Sequence, residues 1–332
     1  VSTRALLPLL LLIPFTAAAA SDPAAITIHK EAGRLHLLAG GQSLATYVWA
    51  DLALPRPYFC DIFAPDGTRL TRNYPPDPVA DAGNADHPDF HPGLWLAFGD
   101  LGGQDFWRNK ARVRHVEFLE PEKVPDGARA FAVRNVYEPL AAGAPLCEEI
   151  CTYTILASPG STLLLMDSAF TSAAPFTFGD QEEMGLGLRL ATNLTPKHGK
   201  GRLRNSLGGE QEAGTWGKAA DWCAATAPGK AGLAGVLLAP HPGNFRKSWF
   251  HTRDYGLIAA NPFGQKAMTA AKDDSVAPDQ TPVAAETAFR LRYAVCLLSD
   301  AKDTTPDLER HYQDVLELWE SMAAFERPGS PR

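Results

Sequence analysis

From Ile26 onward the chain repeats one theme: short runs of β-branched, aromatic and aliphatic residues separated by Gly, Pro, Asp and Asn. Runs of this kind suit strands, and the separators suit turns. "AITIHK", "RLHLLAG" and "SLATYVWA" open the series, and "YFCDIFAPDGTRL" follows with Asp66-Gly67 as a hairpin signal. "GLWLAFGD", "ARVRHVEFLE", "ARAFAVRNVYE", "EEICTYTILAS" and "STLLLMDSAFTS" continue it, then "LGLRLAT", "LAGVLLAP", "YGLIAANPF" and "FRLRYAVCLLS". In "RVRHVEF" the alternation predicts Val113, His115 and Glu117 on one face, with Arg112, Arg114, Val116 and Phe118 on the other. So many strands with so little helix predict an all-β chain, folded as a large two-sheet antiparallel β-sandwich.

A helical period is convincing only at the end. Thr305 can cap, Pro306 fits the first helical position and Asp307 suits the positive end. Leu308, Tyr312, Val315, Leu316 and Trp319 then recur at helical spacing, which predicts a C-terminal helix laid on a sheet. Long loops are expected over 64–92, 196–218 and 264–288.

The first twenty residues follow another pattern. Arg4, the apolar run "ALLPLLLLIPF" and the small-residue stretch "AAAASD" predict a signal peptide over 1–20, leaving one β-sandwich domain over 21–332. The run is short and broken by Pro8 and Pro14, and no other window approaches ~18 apolar residues. No membrane span is therefore expected after cleavage, and the expected location is periplasmic or secreted. A length of 332 residues is ordinary for one large sandwich, and 45% hydrophobic residues are enough for a real core. The formal charge of −7, with no block of five or six like charges, argues against nucleic acid or an anionic membrane as partner. The five cysteines form no zinc pattern, and Cys147 and Cys151 lie about 13 Å apart if the segment between them is extended, too far for a mutual disulfide.

Several segments together resemble a known family: "RPYFCDIFAPDGTRLTRNYPP", "DHPDFHPGLW", "FWRNKARV", "FGDQEEMGLGLRLAT", "GTWGKAADW" and "HPGNFRKSWFHTRDYGLIAANPFG". Over residues 54–320 the chain is similar to the bacterial PmoA-like family, whose label borrows the name of a methane oxygenase subunit. The resemblance implies a mutarotase-like β-supersandwich, a secreted protein and a carbohydrate substrate or ligand. It implies no established catalytic residues. The borrowed name itself is unsuitable, because that subunit is an integral membrane protein and this chain has no spanning helices. The family's commoner "DHPHH" run is interrupted here by Asp89 and Phe90, and Phe98 replaces a His before "GD", which counts against a three-histidine metal site.

Acid/base chemistry on a sugar requires a proton donor, an acceptor and support for developing charge. Glu183 in "GDQEEMG" is the first candidate, with Glu182 and Asp180 beside it, because clustered carboxylates can raise one another's pKa. The imidazole candidates are His87 and His91 on the Pro-bounded loop, with His241 and His251; all four are expected to meet Glu183 at one end of the sandwich. Arg189, Arg253, Tyr255 and Asn261 are candidate substrate contacts, and Trp95 and Trp222 candidate stacking platforms. Lys110 is expected in an ordinary ion pair. No organic cofactor is expected; a metal held by two of the histidines and Glu183 is chemically allowed. "FGDLGGQ" and "LGGEQ" resemble phosphate loops, but no helix is expected after either. The leading expectation is an acid/base hydrolase, lyase or epimerase. The alternatives are a non-catalytic glycan-binding sandwich and a metal-dependent oxidoreductase.

Overall fold

The structure, a computed structural model, describes residues 25–121, 123–300 and 307–326. The expected signal segment and the capping pair Thr305 and Pro306 lie outside these residues. A nine-stranded sheet runs in the order Ile26–Glu31, Arg34–Ala39, Gln42–Val48, Tyr58–Cys60, Leu94–Phe98, Met184–Arg189, Leu257–Asn261, Trp249–Arg253 and Lys218–Ala219. An eight-stranded sheet runs in the order Arg202–Asn205, Cys223–Pro228, Leu233–Pro240, Phe289–Asp300, Ser161–Thr171, Cys147–Ser158, Arg129–Pro139 and Ala111–Leu119. Neighbouring strands are antiparallel in both, so the chain is the two-sheet β-sandwich that its pattern predicts.

The period of two explains how each strand serves two surfaces. In Met184–Arg189, the side chains of Met184, Leu186 and Leu188 enter the core between the sheets, where they join Phe131, Ile155, Val236 and Val295. Gly185, Gly187 and Arg189 face the other way. A Cβ on Gly187 would sit 2.6 Å from Trp95 and 2.7 Å from Trp107, so this glycine makes room for a second aromatic layer outside the sheet.

One alternation departs from expectation. The register shifts between His115 and Glu117, and this bulge reverses the side-chain order. Val113 is buried, but Glu117 beyond the bulge is exposed while Phe118 packs on the core. The expected loops also hold small elements. The 264–288 segment contains the helix Gln265–Thr269 and the strand Thr281–Val283. The helix Gln211–Thr215 follows "LGGE" directly, contrary to expectation, but Glu210 and Glu212 at its start make it a poor seat for phosphate.

The two outer faces are covered differently. On the eight-stranded sheet the helix Leu308–Glu326 sets Leu308, Tyr312, Val315, Leu318 and Trp319 against Leu163, Leu165, Leu237, Ala294 and Cys296. On the nine-stranded sheet, loops bring Leu54 and Trp107 onto Val48, Tyr58, Trp95, Leu257 and Ala259, and a polar cleft lies above this thin apolar layer. All five cysteines are free and buried. No described helix is long and apolar enough to cross a membrane.

Candidate functional site

Strands Met184–Arg189, Leu257–Asn261 and Trp249–Arg253 are neighbours in the nine-stranded sheet. Because Leu188, Phe250, Ile258 and Ala260 point into the core, Arg189, His251, Arg253 and Asn261 all leave on the outer face. The turn before Met184 and the loop carrying His87 rise beside them. Together they enclose a cleft of about 730 Å³, whose wall includes His87, Arg108, Glu182, Glu183, His251 and Tyr255.

Buried arginines hold the loop in place. Arg72 is fully buried and donates to the carbonyls of Asn84 (2.8 Å), Asp86 (2.6 Å), His87 (3.3 Å) and His91 (3.0 Å). Arg56 donates to Phe90 O (2.5 Å), Phe106 O (3.0 Å) and Trp107 O (2.8 Å), tying this loop to the next. The carbonyl pattern suits a guanidinium fork, whose donors lie in one plane. Under this clamp His87 adopts φ 49°, a left-handed conformation that costs an L-residue about 1 kcal/mol.

His87 Nδ1 lies 2.6 Å from Asp86 Oδ2, and the other oxygen of Asp86 pairs with Arg189. Arg189 is completely buried; it also donates to Asn84 Oδ1 (2.6 Å) and lies 4.5 Å from the Tyr255 ring centre. Burial pushes the Asp86 carboxyl up, but Arg189 and His87 outweigh it and hold the group below the ordinary carboxylate range. The Tyr255 ring stacks beside the His87 imidazole, with centroids 6.0 Å apart.

Glu183 forms the opposite chemical pole. Its side chain is 14% exposed and paired with Arg108, which also contacts Asp105 (3.2 Å). Burial raises the Glu183 carboxyl above its ordinary value, against the opposing pull of Arg108 and His87. Glu182 pairs with Arg253 (3.1 Å), and its backbone carbonyl faces His251 Nδ1 at 3.2 Å. A carbonyl only accepts, so His251 carries its proton on Nδ1 and its lone pair on Nε2. Burial, reinforced by Arg253, lowers its pKa to about 3, so the ring is neutral.

The structure therefore joins Glu183, His87, His251, Arg253 and Tyr255 in one cleft, and corrects several other expectations. His91 is fully buried beneath His87: it accepts from Trp107 Nε1 (3.2 Å) and stacks on Trp95 at 5.0 Å. Burial, with Arg189 and His87 adding to it, keeps His91 neutral. Trp95 is the floor under that imidazole, 2% exposed, and offers no platform. Arg189 and Asn261 are both fully buried beneath the cleft. Asn261 is fully buried; its Nδ2 donates to Gln181 O (2.6 Å) and Glu182 O (3.1 Å) while its Oδ1 accepts from Phe263 N (2.8 Å) and Gly264 N (3.0 Å).

Asp180 accepts from the backbone N–H groups of Lys266 (2.8 Å), Ala267 (2.9 Å) and Asp279 (2.8 Å), so it fastens a loop. His241 and Trp222 do not reach the cleft. They belong to the helix-covered face, where His241 packs on Trp319 at 4.6 Å and Trp222 donates to Glu309 (3.3 Å). Lys110 pairs with Asp105 at 3.5 Å, as expected. Among the described residues no three His, Cys, Asp or Glu side chains form a group that could hold a metal. The sequence pattern marks neither Arg108 nor Asp86, although Asp86 directly precedes the candidate His87 and Arg108 lies in the motif "FWRNKARV".

Residues 34–313 match the family of unknown function DUF6807. The chain belongs to that family. The DUF6807 description carries no PmoA-like name. No curated protein matches the sequence. Among solved structures, the chain is similar to an α-galactosidase from Lactobacillus brevis at 8% identity and TM-score 0.39, over 92% of this chain and 42% of that one. It is similar to a galactose mutarotase-like protein from Clostridium acetobutylicum at 10% identity and TM-score 0.28, over 83% and 98%. It is also similar to a 4-alpha-glucanotransferase from Thermococcus litoralis at 9% identity and TM-score 0.25, over 83% and 38%. The chain thus spans less than half the length of the galactosidase and of the glucanotransferase.

Proposed function

We propose that this DUF6807 protein is a secreted enzyme acting on a sugar or glycoside by acid/base chemistry, as a hydrolase, lyase or epimerase. The observation that carries the reading is the buried Glu183 carboxyl, raised in pKa and held by Arg108, in one cleft with His87 and a neutral His251. A carboxyl whose pKa is raised takes up a proton more readily and can pass it to a leaving or ring oxygen, and an imidazole lone pair can take one up. The cleft volume lies within the ~300–1,000 Å³ range of small-molecule sites. Its arginines and carboxylates suit hydroxyl groups, and the ring of Tyr255 suits a sugar face. Support for the carbohydrate class comes from the sequence motifs, and the export-like pattern of residues 1–20 supports secretion.

The test begins with a screen of oligosaccharides and keto-sugars for turnover and for binding. Glu183→Gln should keep the fold and ligand binding while lowering turnover by about two to four powers of ten. A fully active Glu183→Gln variant would remove the acid/base assignment. Saturable glycan binding without turnover across the screen would favour the non-catalytic glycan-binding alternative.

A further inference from the structure

Asp86 and Arg189, which the candidate chemistry above leaves without a role, form a relay with His87. Asp86 divides its two oxygens, one to the exposed-side imidazole of His87 and one to the fully buried guanidinium of Arg189. Arg72 pins the backbone carbonyls on both sides of this pair, and His87 accepts a left-handed φ of 49° to complete it. The His87 side chain is 40% exposed on the cleft wall, and among the described residues its Nε2 has no hydrogen-bond partner. A carboxylate can only accept, so the short contact places the imidazole proton on Nδ1 and the lone pair on Nε2. A free imidazole has no such constraint.

We infer that His87 is the proton acceptor of the cleft, acting through Nε2, and that Asp86 is its positioning residue, anchored from below by Arg189. Nε2 takes a proton from a sugar hydroxyl or an acidic C–H; the electron pair of that bond stays on the substrate, and the resulting imidazolium is stabilised by Asp86 until the proton returns to the product or to water. The effect on turnover rests on the acid/base reading above. The proton placement does not, and it can be measured without a substrate.

The experiment is long-range proton–nitrogen NMR on the full chain labelled with ¹⁵N-histidine, recorded at alkaline pH, with the His87→Gln spectrum identifying the His87 signals. The wild type should show His87 protonated on Nδ1. In Asp86→Asn the amide oxygen remains with Arg189, which requires an acceptor, so the amide NH₂ faces Nδ1. His87 must then accept there and carry its proton on Nε2, a reversed tautomer that purely structural damage would not produce. Once a substrate is found, Asp86→Asn should lower kcat by about two to four powers of ten with KM changed little, the pattern expected when a base is held in the wrong tautomer. A wild-type His87 protonated on Nε2 overturns the inference, and that spectrum decides alone if Asp86→Asn fails to fold. A variant that keeps its proton on Nδ1 overturns it too. If the tautomer reverses and turnover falls while Glu183→Gln stays fully active, the Glu183 reading fails and the His87 assignment stands.

Discussion

The two outer faces of this sandwich begin from the same material, β-sheet with alternating side chains, and end in opposite chemistry. The helix Leu308–Glu326 covers one face with Val315, Leu318 and Trp319 on leucines and alanines, an apolar contact stabilised by removing apolar surface from water. The other face is closed by loops, whose backbone carbonyls need donors if they are to be buried. Arg56 and Arg72 supply those donors, and the same guanidiniums stiffen the loop that carries His87. A helix satisfies its own backbone and so makes an inert lid. Loops do not, and their polar support brings charge to the surface where chemistry is proposed.

The comparison is broken most severely by removing that support. Arg72→Met should destabilise the protein by about 4 kcal/mol, because four carbonyls lose their donor. The denaturant midpoint should fall, and turnover should vanish even in the fraction that folds, since the His87 loop loses its anchor. Trp319→Ala on the opposite face should cost about 3 kcal/mol through a cavity beneath the helix. Turnover per folded molecule should survive it. Equal losses of activity in the two variants at matched stability would show that the faces are not separate in function.

The difference between the faces was only partly legible in the sequence. Strands were, because burial acts on every second residue and leaves a period of two, as in Met184, Leu186 and Leu188. The cleft was half legible, because Glu183 directly precedes a strand and His251 and Arg253 lie two apart on another, which fixes the latter two to one side of a sheet. His241 looks equivalent to His251 in sequence, yet Pro240 pairs with Tyr293 in one sheet while Trp249 pairs with Asn261 in the other. The chain crosses the sandwich between them, and no local pattern records that crossing. Nor does a pattern record that Arg189 meets Asp86, since the two are paired by tertiary folding alone.

His241 and His251 also give the comparison a pH dependence. Burial, with nearby arginines, lowers His241 to about 4 and His251 to about 3, so both fold as neutral rings. A depressed folded-state value means that each contributes stability above the ordinary imidazole pKa, and that this is lost as pH falls toward the folded value. His241→Gln should therefore flatten the loss of stability between pH 7 and pH 4 by on the order of 1 kcal/mol, read from urea midpoints at the two pH values. Its turnover should equal that of the wild type, because the ring lies against Trp319 and not on the cleft. An unchanged pH slope would mean that His241 is not held neutral by the fold.

The smallest effect gives the finest test of which face a residue serves. Trp222 reads from sequence as a stacking platform, but it is 6% exposed, packed in the layer under the helix, with its indole N–H donated to Glu309. Trp222→Phe keeps most of the apolar surface and removes that one bond, at 3.3 Å and partly buried, so the expected loss is about 0.5–1 kcal/mol. Glycan affinity should not change at all. If titration of a bound oligosaccharide weakened tenfold in Trp222→Phe while the denaturant midpoint stayed put, the ligand would have to reach the helix-covered face, and the division between an inert face and a chemical one would be wrong. A small midpoint shift with unaltered binding and turnover would instead mark Trp222 as part of the lid's packing, an aromatic residue whose polar edge is satisfied by a helix and whose ring never meets a substrate.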